Sequence, residues 1–313
     1  MRNILKIGTR ESQLAVWQAT LVKDLLKEHA IDSELVLIKS EGDIDLKTPL
    51  YAMGVQGIFT KTLDAALLDN RIDLAVHSMK DVPTLLAEGI AQAATLKRGN
   101  YKDVFVFRNP QPSGEFVIRD FDPASFLTIA TSSIRRKSQW LHRYPNHRVE
   151  NLRGNINTRL KKLEESNWLG AIFAAAGLER INLLPSHSIE LDWMLPAPAQ
   201  GAIMVVCREE DVETKKKCSL LNDENTELCT RIERDFLRSL LGGCSTPISA
   251  LAEIEEEELF FRGNVLSVDG KQKKEIEKIL PVEKADYMGF EAAKELMQDG
   301  GDVIINNIRN ASK

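Results

Sequence analysis

Apolar positions in the first half of the chain follow two alternating periods. Residues 3–8 (NILKIG) form a short apolar run that stops at Gly8. Beyond Ser12, the residues Leu14, Trp17, Leu21 and Leu25 recur at helical spacing, which predicts a helix that this serine can cap. A strand is predicted at 34–39 (ELVLIK), a Gly-containing loop at 40–57, a helix at about 59–69 and a strand at 72–76 (IDLAV). The rhythm repeats after residue 100, with strands at 104–107, 127–131, 148–152 and 171–175 and helices at 133–143 and 156–166. Strands alternating with helices predict a mostly parallel sheet covered by helices. The Pro-rich segment LPAPAQG at 195–201 then interrupts the chain before the apolar run 202–207 (AIMVVC), a strand expected to cross back to the first domain.

The last third changes character. A charged helix at about 223–240 leads into LGGCSTPIS, followed by β-like runs at 247–252, 258–267 and 275–281, a helix at 285–298 and a strand at 302–306. That order predicts a small α+β domain with an antiparallel sheet. The run Glu255–Glu258 is expected as a solvated turn or edge. At 313 residues the chain is long for a single core, so two or three domains are expected.

Composition narrows the function classes. Hydrophobic residues at 43% and charged residues at 28% fit a globular chain and argue against disorder. A net charge of −5 excludes a general nucleic-acid coat. No apolar run approaches the ~18 residues of a membrane span, so no membrane partner is expected. The opening MRNILKIGTRES meets charged residues at once, without a signal-peptide core, which points to the cytoplasm. Cys207, Cys218, Cys229 and Cys244 form neither CxxC pairs nor zinc-type spacing, so free thiols in a reducing compartment and no metal are expected.

The charge is unevenly spread. Residues 131–162 carry nine Lys and Arg against Glu150 alone, a local +8 that leaves −13 on the rest. A solvated helix face is the plain reading of such a cluster. Its placement favours an anion site. Thr131-Ser132-Ser133 with Arg135 and Arg136, and Arg153-Gly154-Asn155 with Arg159, each lie between a predicted strand and a predicted helix. Helix N-termini offer unpaired N–H groups, and arginines add paired donors that fit carboxylates. Open α/β sheets bind ligands at these carboxyl ends of strands. Arg10 and Ser12 repeat the design at the first junction, although Ser12 also reads as a simple cap. In His77-Ser78-Met79-Lys80-Asp81, Asp81 suits a general acid or cation stabiliser, against a turn role favoured by Val82-Pro83. His77 reads as a packed, hydrogen-bonded histidine. In Gly242-Gly243-Cys244 the flexible backbone leaves a thiol accessible for covalent attachment, against the usual reading of a lone Cys as a small buried hydrophobe.

Taken in order, IGTRESQLAVWQ (7–18), EGD (41–43), LAVHSMKDVP (74–83), ATSSIRRKSQ (130–139), LRGNINTRL (152–160), AAAGLER (174–180), LPAPAQGA (195–202) and ERDFLRSLLGGCSTPI (233–248) closely resemble the hydroxymethylbilane synthase, or porphobilinogen deaminase, family. The resemblance implies two periplasmic-binding-protein-like α/β domains, at 1–97 with 201–219 and at 102–196, plus a small C-terminal α+β domain at 222–313. It implies a dipyrromethane cofactor attached as a thioether to Cys244. Four porphobilinogen units would be added head to tail with loss of ammonia, and water would release linear hydroxymethylbilane. Lys80, Asp81, Ser133, Arg135 and Arg136 would hold the cofactor. Arg10, Ser12, Ser78, Arg153, Arg159, Arg180 and Gln200 would hold substrate. Asp81 would face the pyrrole nitrogens and act catalytically. The implied partners are porphobilinogen and the growing oligopyrrole, in a monomer.

The chain departs from the family pattern at three places. Val55 and Gln56 stand where a second glycine and a lysine are usual, in a loop expected to act as a lid. Tyr101-Lys102-Asp103 replaces Pro-Arg-Asp, and Val206 precedes Cys207 where glutamate is common. Three rival readings compete: a non-enzymatic two-lobed anion-binding module, a nucleic-acid regulator using 131–162, and a Cys hydrolase using Cys244 and His77. The first gives Gly-Gly-Cys no role, the second lacks a helix-turn-helix pattern, and no spacing supports the third.

Overall fold

A computed structural model describes residues 4–39, 60–108, 125–240 and 246–311. The expected lid with Val55 and Gln56, the EGD segment and Cys244 lie outside the described residues. The chain opens with β1 (Leu5–Thr9), α1 (Gln13–Glu28), β2 (Ser33–Leu37), α2 (Lys61–Leu68), β3 (Leu74–Ser78) and β4 (Ile90–Thr95). It crosses into a second lobe with β5 (Asp103–Phe107), β6 (Thr128–Ala130), α3 (Ile134–Arg143), β7 (Arg148–Glu150), α4 (Ile156–Glu164), β8 (Gly170–Ala174), α5 (Ala175–Glu179) and β9 (Ser188–Glu190). It returns through β10 (Ile203–Arg208) and α6 (Val212–Ser219). The remainder is α7 (Glu224–Ser239), β11 (Ile248–Glu255), β12 (Glu258–Leu266), β13 (Lys273–Pro281), α8 (Met288–Leu296) and α9 (Asp302–Ala311).

Each lobe is built on a five-stranded sheet, ordered β2-β1-β3-β10-β4 in the first and β7-β6-β8-β5-β9 in the second. The sheets are mixed rather than mostly parallel. β1 pairs parallel with β2 and β3, and β6 with β7 and β8, but the crossing strands β10 and β5 run antiparallel to both neighbours. A strand that arrives from the other lobe enters its sheet from the opposite end. Apolar side chains cover both faces of each sheet, so the inner strands read as continuous apolar runs. In the second lobe Trp140 stacks on Phe105, with centroids 5.2 Å apart.

The third domain packs α7, α8 and α9 on the antiparallel sheet β11-β12-β13, with Phe236 and Phe261 edge to face in its core. Glu256 and Glu257 form the expected exposed turn. The strand expected at 302–306 is instead part of α9. Ile304 and Ile305 are buried and Ile308 packs one turn on, a helical spacing that a three-residue apolar run conceals. The domain docks against α3 so closely that a Cβ at Gly270 (φ +74°) would lie 2.6 Å from backbone atoms of Ser138 and His142.

Candidate active site

In the first lobe, side chains reach the cleft from the ends of β1 and β3. Ser12 is extended and caps α1, its Oγ accepting from the Ala15 amide at 3.4 Å, which leaves Arg10 beside the helix N-terminus. At the end of β3, Ser78 Oγ accepts a hydrogen bond from Gln18 Nε2 of α1 at 2.9 Å. Met79–Asp81 then makes one 3-10 turn, closed by Val82-Pro83. Lys80 Nζ donates to Gln200 Oε1 at 3.1 Å. Loss of solvent around Lys80, with the neighbouring charge of Arg136, lowers its pKa to about 8. His77 is packed as expected, but its Nε2 has no hydrogen-bond partner among the described residues. Burial, followed by the charge of Arg10, lowers its pKa to about 4, so it is neutral at pH 7.

The second lobe supplies arginines on capped helices. Ser133 caps α3, and Ser132 donates to the Leu152 carbonyl, tying this junction to the one after β7. Arg135 and Arg136 converge on Asp103, the first residue of β5. Arg135 Nη2 donates to Oδ2 at 2.7 Å, and Arg136 Nη2 to Oδ1 at 2.8 Å. Asp103 is 0% exposed. Burial alone would raise its pKa, yet the two guanidinium groups hold it far below the carboxylate range. After β7, Gly154 takes φ +117°, and a Cβ there would meet Thr158 Cγ2 at 2.7 Å, so glycine is required. Asn155 caps α4 through the Thr158 amide at 2.9 Å, and Arg159 Nε donates to the Gly154 carbonyl at 2.7 Å. Burial, then Arg136 and Arg153, lowers the Arg159 pKa to about 10. Arg180 lies over the Trp17 ring of the first lobe and donates to the Gly201 carbonyl at 2.6 Å.

Where the chain crosses between lobes, Gln200 links both sides. Its Nε2 donates to Asp103 Oδ1 at 2.8 Å and to the Tyr101 carbonyl at 2.7 Å. Beside it Ala199 sits in the left-handed region (φ 61°), its amide donating to Glu233 Oε2 of α7 at 2.6 Å. The same fully buried carboxylate takes a two-pronged bond from Arg98 at 2.6 and 3.1 Å and one from the Ala252 amide at 2.8 Å.

These junctions open on one cleft of about 750 Å³ between the lobes. Arg10, Ser12, Ser78, Lys80, Asp81, Ser133, Arg135, Arg136, Arg153, Arg159, Arg180 and Gln200 all line it, and the volume is that of a small-ligand site. Among the described residues, eight cations, Lys39 included, line it with two carboxylates, Glu11 and Asp81. His77 lies instead beside a separate 190 Å³ pocket. The sequence reading gave no role to Asp103, Arg98 or Glu233. The only local signal for Asp103 was a charge at the head of the apolar strand VFVF. Cys207, Cys218 and Cys229 are buried thiols, and burial pushes the last two up to about 12. No helix among the described residues is long and apolar enough to cross a membrane.

Two family models match the chain: "Porphobilinogen deaminase, dipyromethane cofactor binding domain" over residues 5–216 and "Porphobilinogen deaminase, C-terminal domain" over residues 227–298. Curated relatives named porphobilinogen deaminase include one from Chlorobium phaeobacteroides (strain BS1), 41% identical over 99% of each chain. Another, from Chloroherpeton thalassium, is 39% identical over 99% of each. A third, from Acidithiobacillus ferrooxidans, is 39% identical over 99% of this chain and 100% of its own. Among solved structures, the methionine binding protein MetQ aligns over 71% of this chain and 90% of its own, at 13% identity and a TM-score of 0.43. At that score the likeness carries no functional weight.

Proposed function

The chain belongs to the porphobilinogen deaminase family, and on that premise we propose how its residues divide the work of the reaction. It is a transferase of that family, a hydroxymethylbilane synthase that joins four porphobilinogen units head to tail with loss of ammonia. The dipyrromethane cofactor of the family, when bound, would supply the free pyrrole α-carbon to which the first unit is joined, and each later unit would join the free α-carbon of the unit before it.

The residues present fit such a group. Each pyrrole carries an acetate and a propionate, and the cleft has cations in excess. The Nε of buried Arg135 has no hydrogen-bond partner among the described residues, although its terminal nitrogens are engaged. Cys244, outside the described residues, carries the thioether in this reading. Lys80, Ser133, Arg135 and Arg136 hold cofactor carboxylates. Arg10, Ser12, Ser78, Arg153, Arg159, Arg180 and Gln200 hold and orient those of the substrate. Asp103 keeps the Arg135–Arg136 pair in place and charged. Asp81, whose charge acts on both Lys80 and Arg159, faces the pyrrole N–H, assists departure of the substrate's ammonia and stabilises the positive charge left on the substrate. Asp81 can then accept the proton displaced from the attacking α-carbon when the new C–C bond forms.

The domains are taken as 1–97 with 201–219, 102–196, and 222–313, a division that the membership of β10 in the first sheet supports. We take the protein as a cytoplasmic monomer that acts on porphobilinogen and the growing oligopyrrole, apart from membrane, and its net charge of −5 argues against a nucleic-acid partner. The observation that carries the reading is the convergence of Lys80–Asp81 with the arginines of the second lobe in one cleft. The intact mass of the denatured protein tests it. A covalent excess of two linked pyrrole units on the peptide containing Cys244 is expected, and its absence from active protein would overturn the reading.

A further inference from the structure

The turn that presents Asp81 is weakly supported from within. It is a single 3-10 turn without a side-chain cap, closed by the Val82 amide donating to the Met79 carbonyl at 3.1 Å. It leads into Pro83, which has no amide to donate. Buried Met79 and Val82 anchor its apolar side. Three of its carbonyl oxygens, those of Met79, Val82 and Pro83, converge on one group outside the cleft lining, the guanidinium of Arg234 on α7. Arg234 Nη1 donates to Met79 at 3.4 Å and to Val82 at 3.0 Å, and Nη2 donates to Pro83 at 2.6 Å.

We propose that Arg234 is a positioning residue for Asp81, fixing the backbone of its turn from the third domain; this rests on the assignment of Asp81 above. A rigid planar fork with five donors can hold several carbonyls in one arrangement, whereas an ammonium group is a single rotatable point. The neighbouring residue strengthens the case. Glu233 binds Arg98 and the Ala199 amide at the interlobe crossings, so adjacent positions of α7 hold both the crossings and the acid turn. α7 ends at Ser239, five positions before Cys244 in the sequence. One helix therefore sets Asp81 relative to the arginines of the second lobe.

Arg234→Met, Arg234→Lys, Asp81→Asn and the double variant Asp81→Asn/Arg234→Met test this in the holoprotein, with the pyrrole mass confirmed in each. Arg234→Met is expected to leave the KM for porphobilinogen within about twofold and to lower kcat by about 10- to 100-fold, the usual cost of slight misplacement. Arg234→Lys should recover part of the loss, and Arg234→Met should add little to Asp81→Asn. Parental kcat in Arg234→Met, a loss carried wholly by KM, or a full further loss in the double variant would overturn the proposal. If Arg234→Met does not fold, Arg234→Lys decides: lowered kcat at unchanged KM supports the proposal and parental kcat overturns it. Parental turnover by Asp81→Asn would remove Asp81 from its role, an outcome distinct from failure of Arg234.

Discussion

The two lobes share one strand plan and use it differently. Each places a second, first, third, crossing and last strand side by side, and each sends side chains into the cleft from the ends of its parallel strands. In the second lobe those ends lead into capped helices, α3 behind Ser133 and α4 behind Asn155, and their cargo is arginine. In the first, β3 leads into one 3-10 turn whose cargo is Lys80 and Asp81. Well-ordered helical starts suit fixed charges that hold a polycarboxylate chain. A short turn suits Asp81, the carboxylate proposed to meet each successive unit. The plan is shared, and in the proposed division of roles the helices carry arginines that hold carboxylates while the short turn carries Asp81 beside Lys80.

That contrast can be broken by experiment, the largest effect first. Asp81→Ala in the first lobe should lower porphobilinogen consumption by about 10²- to 10⁴-fold, as expected for a lost acid–base group, while circular dichroism and the covalent mass stay unchanged. Near-normal turnover would dissolve the division of labour. Asp103→Asn in the second lobe should act on stability, because it leaves Arg135 and Arg136 buried without their counter-charge. Removing one partner from a buried ion pair costs about 3–5 kcal/mol, readable in urea unfolding. Unchanged stability would mean that the arginines do not depend on Asp103.

Lys80 gives the finest test, because its two pH effects have opposite signs. Its pKa in the fold is about 8, below the ordinary 10.5. Burying the charged form costs stability below about 8. The unfolded chain binds the extra proton between the two values, so this group makes stability rise with pH across that window. Its attraction for carboxylates is lost over the same rise. The stability that the attached cofactor adds against urea unfolding, holoprotein compared with apoprotein, is therefore expected to shrink above pH 8, and Lys80→Arg should flatten the decline. A pH-independent difference between the two forms would remove Lys80 from cofactor-carboxylate binding.

Much of this arrangement was legible in the chain, where chemistry and period coincide locally. Arg135, Arg136, Arg153 and Arg159 fall at strand-to-helix junctions, and the spacing alone placed them there. Ser12 is the expected cap and also lines the cleft, so capping does not remove it from the site. β4 escaped notice because IAQAAT lacks the β-branched density of a strand and owes its conformation to pairing with β10. α9 was misread because Val303, Ile304 and Ile305 form too short an apolar run to reveal a period. Asp103, Glu233 and Arg234 were silent for another reason. Each is an ordinary charge in sequence, and its meaning lies in partners 19 or more positions away.

The position of β10 also bears on how the protein is made. This strand lies between β3 and β4, yet it leaves the ribosome only after the whole second lobe. The second lobe runs without interruption from β5 to β9 and can close its sheet first. The lobe that begins the chain is thus the later of the two to finish, the reverse of the usual N-terminal-first order. Until residue 208 has emerged, β3 and β4 each present an unpaired edge where β10 will sit. Chains interrupted between the two crossings would carry a completed second lobe beside an open sheet, the species most exposed to proteases and to pairing with other chains.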